Sequence, residues 1–241
     1  MDRMILLKTA TLSVLASIVF ATSGETMVRH FTFDEMIERA DIIFAGKVTD
    51  QQCRYGPKGK MIFTDISFKV ERIIFIKDKY ATASEEEIIL TFAGGEIGDN
   101  NIRIPDVPSF KSGERYLIFA RLDGKTYVSP VIGRFQGKFD IVIDEITGES
   151  YPLYSAKKPV LKVSDKGLHL GPSVSRVRGG KMEKATDPLP SLRYDVAPQN
   201  ADKTGKAKAF VSKQAREIPA KIMNLDELQN EIQKRIKLRK G

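Results

Sequence analysis

Ile62-Phe63-Thr64-Asp65-Ile66-Ser67-Phe68-Lys69-Val70-Glu71-Arg72-Ile73-Ile74-Phe75-Ile76 carries the clearest periodicity in this chain. Ile62, Thr64, Ile66, Phe68 and Val70 alternate with Phe63, Asp65, Ser67, Lys69 and Glu71, so one face can be buried while the other stays mostly wet. The pattern predicts a long antiparallel strand with a solvated side. Upstream, Gly56-Pro57-Lys58-Gly59 is turn chemistry, and Ile42–Val48 before it is a short β-rich run. Downstream, strands are expected at Glu87–Phe92, Tyr116–Leu122, Lys125–Val131, Phe139–Ile143 and Glu149–Leu153. Asp123-Gly124 between two of them favours a tight primed hairpin, because glycine accepts positive φ at little cost. Asp144–Gly148 supplies another turn. The acidic run Glu85-Glu86-Glu87 reads as shielding for a strand start or a sheet edge.

Five or more strands with hairpin spacing predict a mainly β fold, a small antiparallel OB-like barrel over residues 30–153, with a β-sandwich as the competing architecture. Closure is favoured because the strand at Ile62–Ile76 is long enough to bend and to pair along both edges. Gly46, Gly94, Gly95, Gly133 and Gly137 are candidate bulge or corner positions. A flanking N-terminal helix is signalled by the capping box Thr32-x-x-Glu35, with Phe31 placed to staple onto Met36, and runs to about Ala40.

The two ends of the chain read differently. Residues 1–23 combine a positive start at Arg3 and Lys8, an apolar run from Ile5 to Phe20, and small residues at Ala21, Ser23 and Gly24, the pattern of a secretory signal peptide. Its removal would leave about 217 of the 241 residues and no second apolar run of membrane length, which predicts an exported protein, periplasmic or extracellular, without a transmembrane segment in its mature form. Residues 154–221 are rich in Lys, Pro, Gly, Ser and Ala and poor in aromatics, the composition of a largely disordered basic linker. Residues 222–240 then form an amphipathic helix: Asn224 caps with Glu227, Leu225, Leu228, Ile232 and Ile236 share a face, and Lys234, Arg235, Lys237, Arg239 and Lys240 crowd the last turns. A helix this short must dock, on its own barrel or on a partner or membrane surface. Lys157–Gly241 carries 20 Lys+Arg against 9 Asp+Glu, whereas residues 1–156 carry 19 against 22. Any attraction to anionic lipid or polysaccharide therefore resides in the tail.

The inventory for catalysis is thin. His30 and His169 are the only histidines and Cys53 the only cysteine, so a zinc site, a Cys-His nucleophile and an intramolecular disulfide all lack their parts. A lone thiol of this kind reads as a small core residue. No Gly-x-Ser-x-Gly, Walker loop or dinucleotide fingerprint is present, and no cofactor is expected. Asp65, Glu71, Glu96, Asp99, Asp106 and Asp140 could serve a carboxylate enzyme, although on alternating strands such residues belong to the solvated face. The tail's aromatics beyond Tyr154 are Tyr194 and Phe210, too sparse for base stacking, so nucleic acid is not an expected partner.

Two segments look built for binding. Phe92–Phe110 is a long loop stiffened by Gly94-Gly95, Asp99-Asn100-Asn101, Pro105 and Pro108. Gly133-Arg134-Phe135-Gln136-Gly137 holds an Arg and a Gln between glycines. The candidate partner-binding residues are Gly94, Gly95, Asp99, Asn100, Pro105, Pro108, Arg134 and Gln136.

Ala40-Asp41-Ile42-Ile43-Phe44-Ala45-Gly46-Lys47-Val48, Phe63–Glu71, Gly113-Glu114-Arg115-Tyr116-Leu117-Ile118-Phe119 and Gly137-Lys138-Phe139 resemble a group of uncharacterised exported bacterial proteins. The opening of that set is also similar to netrin-like and metalloproteinase-inhibitor modules. The resemblance covers residues 33–153 and implies a five-stranded OB-like barrel with flanking helices, used for binding protein, with an exported protease as a partner class. Those inhibitors place a disulfide-bonded N-terminal cysteine on the protease metal. Here Cys53 is internal and has no second cysteine, so that mechanism does not carry over, and the resemblance implies no catalytic residue. The expected function is thus an exported, non-enzymatic module that binds a protein partner through its loops. An envelope-surface adaptor using the basic tail is the alternative, and a carboxylate enzyme the second alternative.

Overall fold

The computed structural model describes residues 29–57, 59–80, 86–123, 125, 127–184 and 221–240. The compact unit from Phe31 onward opens with helix α1 (Phe33–Arg39). An antiparallel sheet of eight strands follows: β1 (Ile42–Tyr55), β2 (Ile62–Ile76), β3 (Glu87–Ala93), β6 (Arg115–Ala120), β7 (Lys138–Ile143), β8 (Ser150–Tyr154), β9 (Lys158–Ser164) and β10 (Gly167–Leu170). Their order is β10-β9-β8-β7-β6-β1-β2-β3. Two small hairpins stand apart, β4 (Gly95–Ile97) with β5 (Asn100–Ile102), and β11 (Val174–Arg178) with β12 (Lys181–Lys184). Helix α2 (Leu225–Lys240) closes the described chain.

Strand β1 explains the two-sided core. Its apolar run is unbroken because both faces are covered. Ile42, Phe44 and Val48 join Ile66, Phe68, Ile88, Leu90, Phe92, Tyr116 and Ile118 in one core. Ile43 and Ala45 point the other way, into a core built with Phe33, Met36, Leu117, Phe119, Phe139, Leu228 and Ile232. Strand β6 alternates in the same sense, Tyr116, Ile118 and Ala120 on the first face and Leu117 and Phe119 on the second. The β1–β2 register slips at three places, one at Ala45/Gly46. Gly46 is needed there, since a Cβ would stand 2.9 Å from Lys69 O.

The capping box at Thr32 and Glu35 forms in both directions, and Asn224 and Glu227 exchange the same pair of bonds at α2. Helix α2 packs onto the sheet through Leu225, Leu228 and Ile232. It is fastened to α1 by Arg235, whose guanidinium donates to both Asp34 carboxylate oxygens at 2.8 Å.

Several expectations require correction. The sheet is open rather than a closed barrel: its ladders end at β3 on one side and β10 on the other. Val128–Val131 spans from β3 to β6, but with only Ala93 N–H to Val128 O at 3.0 Å, Arg121 N–H to Pro130 O at 3.0 Å and a single bridge from Ala120 to Val131. The described residues of the strand expected at Lys125–Val131 form a single bridge and no ladder, in keeping with Pro130, which has no N–H to give to one. The linker boundary also moves. Residues 158–184 form β9 to β12 instead of a disordered stretch, since Val160 and Val163 each reach the shared core from a strand that adds to an existing sheet. A window dominated by lysine conceals two well-placed valines. Residues 185–220 and the signal at 1–23 lie outside the described residues. Among the described residues, no helix is long and apolar enough to cross a membrane.

Candidate functional site

The Phe92–Phe110 segment is anchored at both ends. At its start, Thr64 Oγ1 donates to Gly94 O at 2.7 Å. Gly95 sits at φ 139°, where a Cβ would lie 2.6 Å from Thr64 Oγ1 and 2.8 Å from Cys53 Sγ, so only glycine fits. At its end, the buried Phe110 ring meets Phe68, Phe92 and Tyr116 with centroids 5.3, 5.1 and 5.0 Å away. Between the anchors the β4–β5 hairpin projects outward, turning at Gly98-Asp99. Asn100 Nδ2 donates to Tyr55 Oη at 3.0 Å, tying the hairpin to the end of β1.

The returning limb meets the second candidate segment. Arg134, at φ 65°, places Nη1 3.4 Å from the Asp106 carboxylate and 3.5 Å from Pro105 O. Phe135 beside it is 37% exposed. Together these loops wall one side of a groove whose floor is β7. Two adjoining hollows of about 480 and 310 Å³ share Ser109, Lys138, Asp140 and Leu153. Lys138 lies with its ammonium 4.6 Å from the Tyr116 ring centre and 5.4 Å from that of Phe110, and it pairs with Asp140 at 2.7 Å. Tyr116 Oη accepts from Lys111 N–H and donates to Glu114, both at 2.9 Å. Burial, reinforced by hydrogen bonding to Glu114, pushes the Tyr116 hydroxyl well above its usual range, so it stays a neutral donor. The groove therefore offers an aromatic-backed cation, a carboxylate and an exposed phenyl rim.

The structure divides the sequence-predicted residues. Arg134 meets Pro105 where the two loops touch, and Pro108 lines the groove beside them. Gly94 and Gly95 line a third hollow of about 370 Å³, which meets the groove at Val107, Pro108 and Ser109. Asp99 and Asn100 stand at the far hairpin tip. Gln136 is 2% exposed; its Oε1 accepts from Phe31 N–H at 2.8 Å and its Nε2 donates to Gly133 O. It therefore braces the entry to α1 and does not face a partner. Cys53 is exposed rather than a core residue, because it falls where β1 runs past the core toward its outer end. Lys138, Tyr116, Glu114 and Asp140 were not legible as a site. They converge through the β6–β7 register, in which Tyr116 lies opposite Asp140 and Ile118 opposite Lys138.

Most of the carboxylates considered for catalysis are engaged individually. Asp65 binds Arg54 and Thr91, Glu71 binds Arg115, and Glu96 accepts from Asn101. Among the described residues, no three His, Cys, Asp or Glu side chains are grouped so as to hold a metal. Ser164 Oγ lies 2.8 Å from His169 Nε2, but the same hydroxyl donates to Gly167 O and accepts from Lys166 N–H, so it closes an exposed turn.

In comparisons with known proteins, no family model, curated protein or solved structure matches this chain.

Proposed function

We propose that this chain is an exported, non-enzymatic binding module whose curved, OB-like half presents the loop-walled groove over β7 to a protein partner. The supporting observation is the meeting of the two loops at Arg134, Pro105 and Asp106, which puts an exposed Phe135 on the rim of a groove holding Lys138 and Asp140. An aromatic rim beside a partly buried ion pair is the composition of an interface. The resemblance to inhibitor modules makes an exported protease the first partner class to test.

A photo-crosslinking side chain at Phe135, with the more exposed Ile146 as a control position, tests the reading in cells that produce the protein. One discrete partner captured at Phe135 and not at Ile146, retained in high salt and lost in Lys138→Glu, is the expected result. Capture that requires the C-terminal residues and vanishes with salt would instead favour the adaptor reading. That second reading draws on the exposed Lys234, Lys237 and Arg239 around Leu238 at the end of α2.

A further inference from the structure

We propose that the free edge of β3 is a second binding site, independent of the β7 groove, which takes an extended acidic peptide by strand addition. The backbone orientation follows from two bonds. Val70 N–H donates to Glu86 O, so in the unbroken β2–β3 register Ile88, Leu90 and Phe92 turn their backbone groups toward β2. Ala93 N–H points the opposite way, to Val128 O. Glu87, Ile89 and Thr91 therefore aim their N–H and C=O groups outward from the sheet, and no described residue bonds to those of Ile89 or Thr91 on that side.

Sheet edges are normally blunted by proline, a bulge, an inward charge or a covering element. This edge has no proline and no bulge between Glu87 and Ala93, and among the described residues it is guarded at its two ends alone, by the acidic Glu86-Glu87 at one and by Val128, which accepts from Ala93 N–H, at the other. Ile89 is 58% exposed, more than Tyr55 on β1 or Ile143 on β7. The edge is thus a ready ladder for an incoming chain, with an apolar side chain for it to cover.

The chemistry of the occupant is set by the hollow alongside, of about 440 Å³, whose walls include Arg54, Phe63, Ile89, Arg121, Lys125 and Tyr127. Three cations face it against one carboxylate, Asp123, which is already engaged by Tyr127 Oη at 2.6 Å and Lys125 N–H at 3.2 Å. Arg54 is held by Asp65. Arg121 stacks 4.8 Å from the Tyr127 ring centre, and the carboxylate near both it and Lys125 is Asp123, whose carboxyl their charges help hold below the usual range. An aspartate or glutamate on the added strand would complete this site with charge-assisted hydrogen bonds.

The test uses the full chain and a phage-displayed library of short random peptides. Selection should enrich proline-poor sequences with an acidic residue. The best synthetic peptide should slow amide exchange at Ile89 and Thr91 by about tenfold or more, and should lose about tenfold in affinity when its alternate amides are N-methylated. Reversing charge in the pair Arg121→Glu and Lys125→Glu, both at the surface, should weaken it to a similar degree while Phe135→Ala leaves it unchanged. Selection of no peptide, of peptides without acidic residues, or of peptides that protect the β7 groove instead overturns the proposal. So does concentration-dependent protection of β3 without peptide, which would mean that a second copy covers the edge.

Discussion

Asp144 is completely buried, and among the described residues it is held by backbone N–H groups rather than by a cation. Its carboxylate accepts N–H groups from Ile146 and Thr147 in the turn after β7, and from Gly179 and Gly180 in the β11–β12 turn, at 2.6 to 3.3 Å. Burial works against ionisation, but the donors, Gly180 foremost, outweigh it and hold the carboxyl down at about 2. A folded value below the unfolded value of about 4 stabilises the protein above that pH, and the contribution is lost as pH falls from about 4 to about 2. Asp144→Asn should therefore lower the urea midpoint at neutral pH, with the gap to wild type narrowing across that acid range. A gap independent of pH would show that the carboxylate charge is not what matters. Asp41 follows the same logic: its burial is outweighed by Lys77 and the Leu122 N–H.

At the scale of elements, α2 is a docked component of the core. Leu228 and Ile232 are fully buried against the second face of the sheet, and a large-to-small change there removes apolar contact and leaves a cavity. Leu228→Ala should cost about 2–5 kcal/mol of unfolding free energy, measured by denaturant titration. Leu238→Ala, on the exposed final turn, should change stability by less than about 0.5 kcal/mol. Equal effects would mean that the helix is not seated as described. The capping signals at both helices were readable because a capping box needs only residues three apart. The partner of α2 was not, since the Arg235–Asp34 fork joins positions at opposite ends of the chain.

For the molecule as a whole, the consequence is that no short β domain ends near Tyr154. A chain stopping there forfeits Val160, Val163, Leu225, Leu228 and Ile232 from the core shared with α1, uncovering one face of β1, β6 and β7. Such a truncation should lose cooperative thermal unfolding and bind a hydrophobic dye, whereas deleting the side chains of the exposed terminal turn should do neither. A sharp two-state transition in the truncated chain would contradict this account of the core. The two surfaces proposed for binding, the groove over β7 and the outer edge of β3, both belong to the same sheet.

Local patterning carried the helix caps, the alternation of β2 and the presence of β1, β3, β6, β7 and β8, because each depends on neighbours a few residues apart, but it read Lys125–Val131 as a strand and the β4–β5 hairpin as loop. Tertiary structure decided the rest. Whether Val128–Val131 extends the sheet depends on Pro130, which is harmless in a loop and disabling only once this segment must pair beyond β6 at Arg121. Whether a lysine-rich stretch orders depends on an existing edge at β8 for it to join. The sites followed the same division: glycines and prolines marked the loop, while Lys138, Tyr116 and Asp140 became a group only through strand register, and Gln136 left the surface once α1 packed over it. Contacts between residues far apart in sequence have no local signature, since their energy exists only when the sheet has brought them together.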